Sequence, residues 1–211
     1  MREMTGSSRR SFFLKQRTLR FVWPALLLCV ASCAPITPEE NVPLFNFHVL
    51  DPGRAYRSAQ PDNAGLREAV ARLKLKTVIN LRGPNPGKPW YDVERAVCEE
   101  LGITLIDLPT SASRLPSADL LDDLLTALRT AETPFLLHCE SGADRTGAAA
   151  ALYRIVVLGH DKSDAMAKLS PFMLHFRYFT PCPGTLVELF EPTPEWLDWY
   201  AANVGQIVCV P

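Results

Sequence analysis

Charge of one sign is what this sequence has least of: 22 Lys and Arg stand against 23 Asp and Glu, a formal net charge of −1. A protein that grips nucleic acid needs a basic surface, so this balance excludes a nucleic-acid footprint. Histidine is scarce too. His48, His138, His160 and His175 are the only four, they show no ligand spacing, and neither a metal nor another cofactor is implied. No segment repeats, so the chain is not an array. Long apolar runs are also missing: Phe21 to Val30 is too short to span a bilayer comfortably and carries Pro24. What remains, 211 residues with 47% hydrophobic content, suits one domain with a substantial core.

The first stretch stands apart from that domain. Arg9, Arg10, Lys15, Arg17 and Arg20 form a basic region ahead of the apolar run, which is the pattern of a signal peptide. Val30-Ala31-Ser32-Cys33 then resembles the lipobox of bacterial lipoproteins, which implies a lipid on Cys33 and a mature chain that begins there. The small-small-Cys ending favours this over a plain secretory signal or an uncleaved anchor. Of the 22 Lys and Arg, six lie in residues 1–32, with one of the acidic residues, so the mature chain keeps 16 basic and 22 acidic residues, a net of −6. An anionic ligand would have to be attracted locally. Residues 1–33 are thus read as leader, residues 34–48, with Pro35, Pro38 and Pro43, as tether, and residues 49–211 as the folded domain.

Within that domain short strands alternate with helices. Ala55 to Ser58, Thr77 to Leu81, Ile103 to Ile106 and Pro134 to Leu137 read as strands. Helices are expected over Leu66 to Leu73 behind Pro61 and Asp62, over Asp92 to Leu101 stopped by Gly102, and over Leu120 to Leu128 capped by Ser117. The alternation predicts an α/β fold, a mainly parallel central sheet flanked by helices. Beyond Gly159 the chain becomes a helical tail, with helices from Asp161 and from Trp196. Phe172, Phe176, Tyr178 and Phe179 between them read as packing residues.

The chemistry concentrates in His138-Cys139-Glu140-Ser141-Gly142-Ala143-Asp144-Arg145-Thr146-Gly147. An apolar strand precedes it, and a helix-compatible run from Ala148 to Leu158 follows. Such a loop turns successive N–H groups of Glu140, Ser141, Gly142, Ala143 and Asp144 inward, and the helix behind it adds its positive end. That cradle suits an anion. A cysteine at the strand end would be held as thiolate, its pKa lowered from ~8.5 towards ~3.5–7.5. Arg145 follows after five residues and offers a bidentate fork to two phosphate oxygens.

This loop resembles the signature of the cysteine-based protein tyrosine phosphatase superfamily: His-Cys, five residues, Arg, then Ser or Thr. Arg57-Ser58-Ala59-Gln60-Pro61 and Val78-Ile79-Asn80-Leu81-Arg82 resemble the upstream segments of bacterial dual-specificity-like phosphatases. The resemblance implies the cysteine-phosphatase fold and a two-step hydrolysis of phosphate monoesters, with Cys139 as nucleophile and a cysteinyl-phosphate intermediate. The loop amides and Arg145 would stabilise the equatorial oxygens. Thr146 would hydrogen-bond the sulfur, and His138 would orient the loop through backbone contacts.

Two carboxylates compete to protonate the leaving group. Asp107 stands at a strand end, where many superfamily members place the acid. Asp144 lies inside the loop, as in bacterial lipid-and-tyrosine and myotubularin-like lipid phosphatases, and is placed ahead. Glu140 reads as a solvated loop residue. A phosphate-binding relic without turnover and a rhodanese-type sulfur transferase are the rival classes; intact Cys139 and Arg145 argue against the first, the Arg-Thr-Gly spacing against the second. The expected substrate is a phosphotyrosine- or dual-specificity phosphoprotein, or alternatively an inositol phosphate or phosphoinositide. Arg54, Arg57, Arg82, Lys88 and Arg114 are candidate rim charges, with a solvated surface as their default.

Location follows from the leader: the bacterial cell envelope, periplasmic side, anchored by lipid, with Ala34 after the Cys favouring the outer membrane, and a monomer. That compartment is oxidising. Cys182 and Cys209, both in the tail and near prolines, are the expected disulfide over four free thiols, and Cys98 reads as buried and inert.

Overall fold

A computed structural model describes residues 42–211. The leader, Cys33 and residues 34–41 of the expected tether lie outside the described residues. Five strands form one sheet in the order β1-β2-β5-β3-β4. They are β1 (His48–Asp51), β2 (Ala55–Ser58), β3 (Thr77–Asn80), β4 (Thr104–Asp107) and β5 (Phe135–His138). β5 pairs in parallel with β2 on one side and β3 on the other, and β3 with β4. β1 is antiparallel at the edge. The sheet is therefore mainly parallel, as the alternation of strands and helices implies.

Each central strand is buried on both faces, and the period of two decides which core a side chain joins. Ala55, Ile79, Phe135 and Leu137 enter one core, shared with α3 (Ala118–Thr130) and α4 (Asp144–Val156). Tyr56, Val78 and Leu136 enter the other, shared with α1 (Asn63–Leu73) and α2 (Pro89–Leu101). Local chemistry ends these helices where expected. Asp62 caps α1 by accepting the Gly65 N–H, Ser117 caps α3 by accepting that of Leu120, and Gly102, at φ +67°, closes α2. α4 buries Ala148 to Ala151 without a break, because it lies between the sheet-side core and the tail helices α5 (Lys162–Met166) and α6 (Pro181–Leu189).

Four expectations need correction. Phe45 and Phe47 read as the start of the fold, yet packing begins earlier: Val42 is buried, Leu44 and Phe47 pack on the second core, and β1 takes in His48, the last residue of the expected tether. α6, which carries Pro181 and Pro183, is unexpected, since no helix is read between those from Asp161 and from Trp196. Both prolines sit in the first turn, where the missing N–H groups have no helical partner to lose. The last helix, α7, begins at Pro194 behind a Thr193 cap that accepts the Trp196 N–H. Finally, Phe172, Phe176, Tyr178 and Phe179 do not pack inside. Phe172 is 94% exposed, and of this stretch only His175 turns fully inward. The disulfide Cys182–Cys209 joins α6 to the chain end, and Cys98 is buried within α2.

Candidate active site

β5 delivers His138, and Cys139 follows at the strand's carboxyl end, the place where open α/β sheets present their chemistry. α4 begins at Asp144, so Glu140 to Ala143 span the turn between them. Among the described residues no hydrogen bond uses the backbone N–H of Glu140, Ser141 or Gly142. With the first amides of α4 these form a set of unused donors around the loop. Cys139 is buried. Arg145, in the first turn of α4, is held loosely by Glu140, whose Oε2 lies 3.8 Å from its Nη2. Glu140 itself is exposed, as expected of a solvated loop residue.

The Arg57-Ser58-Ala59-Gln60 stretch is the floor under this loop. Arg57, fully buried, donates from Nη2 to the carbonyl of Gly142 at 2.5 Å. It is therefore neither a rim charge nor the solvated surface residue that is its default reading; β2 runs beside β5, and an inward side chain there has nowhere to go but beneath the loop. Burial lowers its pKa to about 10, opposed by a charge on Cys139 and aided by Arg154. Gly142 has φ +71°, and a Cβ would meet Ala59 N and Ser58 C at 2.6 Å, so glycine is required twice over. The Gln60 N–H donates to Glu140 O at 3.1 Å, and Asn46 Nδ2 donates to Ser141 O at 3.0 Å. Three successive loop carbonyls are thus held from outside, which leaves their amides facing the other way.

A buried polar chain runs on from Gln60. Its Nε2 donates to Glu94 Oε1 at 2.9 Å, and that oxygen lies 2.9 Å from His138 Nε2; Glu94 and His138 are both buried. The other ring nitrogen of His138 lies 3.2 Å from Cys139 O. The ring of His138 thus touches the backbone at Cys139 on one side and stands beside Glu94 on the other. Gln60 Oε1 accepts from Arg82 Nη1 at 3.1 Å. Arg82 stacks on Trp90, 3.5 Å from the ring centroid, and stands 3.9 Å from Glu140 Oε1. Burial, then Arg145 among its neighbours, lowers its pKa against the pull of Glu140 and Cys139. This is the one candidate rim charge placed beside the loop. Arg54 pairs with Asp51, while Lys88 and Arg114 are exposed.

The two acids are in different situations. Asp107 ends β4 with both oxygens engaged: Oδ1 accepts from Asn80 Nδ2 at 2.8 Å and Oδ2 from the Tyr91 hydroxyl at 2.6 Å. That bond, with burial, raises Tyr91 to about 12. Asp144 is clasped on one oxygen only. His175 Nδ1, at 2.7 Å, and Thr180 Oγ1, also at 2.7 Å, converge on Oδ1. Burial opposes the charge on Asp144, yet the bonds from His175 and Thr180, with the charges of His175 and Arg145, outweigh it and hold the carboxyl below its usual value. Thr146 Oγ1 is buried without a hydrogen-bond partner, so the expected bond to sulfur is not made here. His175 and Thr180 were not legible as site residues; only their sequence distance from the loop separates them from it, and no local pattern marks them.

Comparison with known proteins agrees with this geometry. The family model described as DSP-PTPase phosphatase fused to NAD+ kinase matches residues 49–175. The dual specificity protein phosphatase TpbA of Pseudomonas aeruginosa is 36% identical over 141 residues, 66% of this chain and 60% of that protein. The chain thus spans about 60% of the length of the curated relatives it matches first. Among solved structures, TpbA in complex with pTyr aligns with a TM-score of 0.53 at 25% identity, covering 79% of this chain and 99% of that one. The core catalytic domain of the PP-IP phosphatase SIW14 from S. cerevisiae aligns at 0.60 with 24% identity, covering 77% and 94%, a likeness of fold.

Proposed function

Because the chain belongs to the DSP-PTPase phosphatase family, we propose that it hydrolyses phosphate monoesters, phosphotyrosine or dual-specificity phosphoproteins first among them, through a cysteinyl-phosphate. One observation carries the reading: Cys139 and Arg145 bracket a loop whose carbonyls are tied from outside and whose amides at Glu140, Ser141 and Gly142 are unused. In the first step the Cys139 thiolate forms a bond to phosphorus as the bond to the leaving oxygen breaks, and a carboxyl proton passes to that oxygen. In the second, water attacks phosphorus, gives its proton to the carboxylate, and the thiolate leaves. The loop amides and Arg145 hold the equatorial oxygens throughout. The buried Thr146 hydroxyl, with no other partner, is free to donate to the departing sulfur.

Asp144 is the acid in this scheme. Asp107 has both oxygens occupied, while Asp144 keeps Oδ2 clear of partners among the described residues. Its lowered pKa keeps the carboxyl ionised in the free protein, and a bound phosphate dianion raises it towards what the proton transfers of both steps need. Hydrolysis of an aryl phosphate in the presence of a chelator tests the reading. Cys139→Ser should abolish turnover and keep phosphate binding; turnover that survives this substitution refutes it.

An inositol phosphate or phosphoinositide is the second reading. Arg82 beside Arg145 supplies a second cation for a second phosphate, and a relative described as inositol diphosphatase DSP1 of Oryza sativa subsp. japonica is 32% identical over 111 residues. A panel of phosphopeptides, phosphoinositides and inositol polyphosphates separates the two. On location, the lipobox-like Val30-Ala31-Ser32-Cys33 supports a lipid-anchored envelope protein; incorporation of labelled fatty acid that Cys33→Ser leaves unchanged would overturn this.

A further inference from the structure

The segment that holds Asp144 has an outer side that the chemistry above does not use. Residues 172–179 expose Phe172, Leu174, Phe176, Tyr178 and Phe179, three of them by more than three quarters of their surface. Single exposed apolar residues are ordinary, but five within eight residues make a patch that needs a counterpart. The segment is not a loose arm. His175, buried between two exposed neighbours, bonds Asp144, and Thr180 bonds the same oxygen. Tyr178 and Phe179 pack edge to face, and Phe179 N–H donates to Phe176 O. The rings are therefore displayed on a braced backbone next to the catalytic loop.

Charge identifies the counterpart. Residues 165–187 contain no Asp or Glu and carry Lys168 and Arg177, in a chain that is otherwise balanced or acidic. Arg177 pairs with Glu188 at the base of the segment, and Lys168 is half-buried. An aromatic stretch with no carboxylate of its own, its Arg177 compensated by Glu188, matches the boundary of a bilayer, where rings sit at headgroup depth and an unpaired carboxylate would be repelled by an anionic leaflet. The sequence before the domain fits: residues 34–41, at most about 28 Å of extended chain, are all that separates Cys33 from Val42.

We propose that residues 172–179 form a bilayer-facing surface that seats the site on an anionic leaflet, so that phosphate esters held at the membrane are the ones within reach. The surface stands on its own, and only the identity of what it delivers rests on the phosphatase reading. Hydrogen exchange on the full-length Cys139→Ser protein tests it, with and without vesicles containing phosphatidylglycerol. Peptides covering residues 170–180 should exchange at least about fivefold more slowly on these vesicles, and more slowly than on phosphatidylcholine alone, while α3 is unchanged. Phe172→Ser with Phe179→Ser should lose the protection. Equal exchange in residues 170–180 with and without vesicles overturns the proposal. So does protection that grows with protein concentration in the absence of lipid, which would mean a second copy, or protection by a phosphoprotein and not by vesicles. Because the Cys139→Ser protein does not need to turn over, a failure here leaves aryl phosphate hydrolysis as a separate question.

Discussion

Replacing Arg57 by methionine would take away a cation that sits, 1% exposed, directly beneath the loop. Two things are lost. One is the bond from Nη2 to Gly142 O, which holds the loop carbonyl outward; hydrogen bonds to charged groups contribute about 1.5–3 kcal/mol. The other is charge coupling. A charge on Cys139 favours the charged form of Arg57 against burial, so the guanidinium is a fixed cation beneath the loop. At about 1.36 kcal/mol per decade the first effect alone predicts a roughly tenfold to hundredfold fall in kcat/KM. Folding should suffer less, because removing a buried charge relieves a desolvation cost that offsets the unsatisfied carbonyl. The assay combines iodoacetate inactivation of Cys139 at about pH 6 with kcat/KM for an aryl phosphate from about pH 5 to 8. Arg57→Met should be alkylated about tenfold more slowly, because the carboxylate of the reagent loses a cation beneath the loop. Arg57→Lys should recover alkylation but not kcat/KM, since it returns the charge without the reach. An Arg57→Met protein alkylated at the wild-type rate, with kcat/KM within about twofold, would refute the reasoning.

Gly142→Ala should destabilise the protein by more than about 2 kcal/mol in urea melts, because φ +71° and the 2.6 Å approach to Ala59 N both oppose a Cβ. Asp144→Asn should slow turnover strongly for a poor leaving group and little for nitrophenol, while Asp107→Asn should lose stability through Asn80 and Tyr91 with a weaker leaving-group dependence; the opposite ranking would assign the acid to Asp107. The depressed Asp144 pKa gives stability that is complete above its ordinary 3.8 and is lost as pH falls through its own lower value, so acid melts of wild type and Asp144→Asn should converge there. Reduction of Cys182–Cys209, which closes 27 residues, should cost about 3.5 kcal/mol in the chain-entropy account, read as a lower urea midpoint with dithiothreitol.

Much of this protein is local, and what is local was legible. The strand, turn and helix around Cys139, the caps at Asp62, Ser117 and Gly102, and the parallel sheet follow from periodicity and from turn residues acting on their own neighbours. The Cys139-to-Arg145 spacing needs only one loop to have meaning. The helix at Pro181 was hidden because its prolines are harmless only once the first turn is placed.

The roles of Arg57, Glu94, His175 and Thr180 depend on register and packing. Arg57 is a buried brace and not a rim charge because β2 pairs with β5 so that Ser58 stands opposite His138, which puts its neighbour under Gly142. The choice between Asp107 and Asp144 turns on which hydroxyls and ring nitrogens reach each carboxylate, and those come from 16 to 36 residues away. The aromatic stretch looked like core because apolar residues are usually buried. It faces outward because its one buried side chain, His175, is spent on Asp144, and a short segment held by that contact has no second face to turn inward. Composition sets how much apolar surface there is to bury; only the packed chain decides which of it is left for something else to cover.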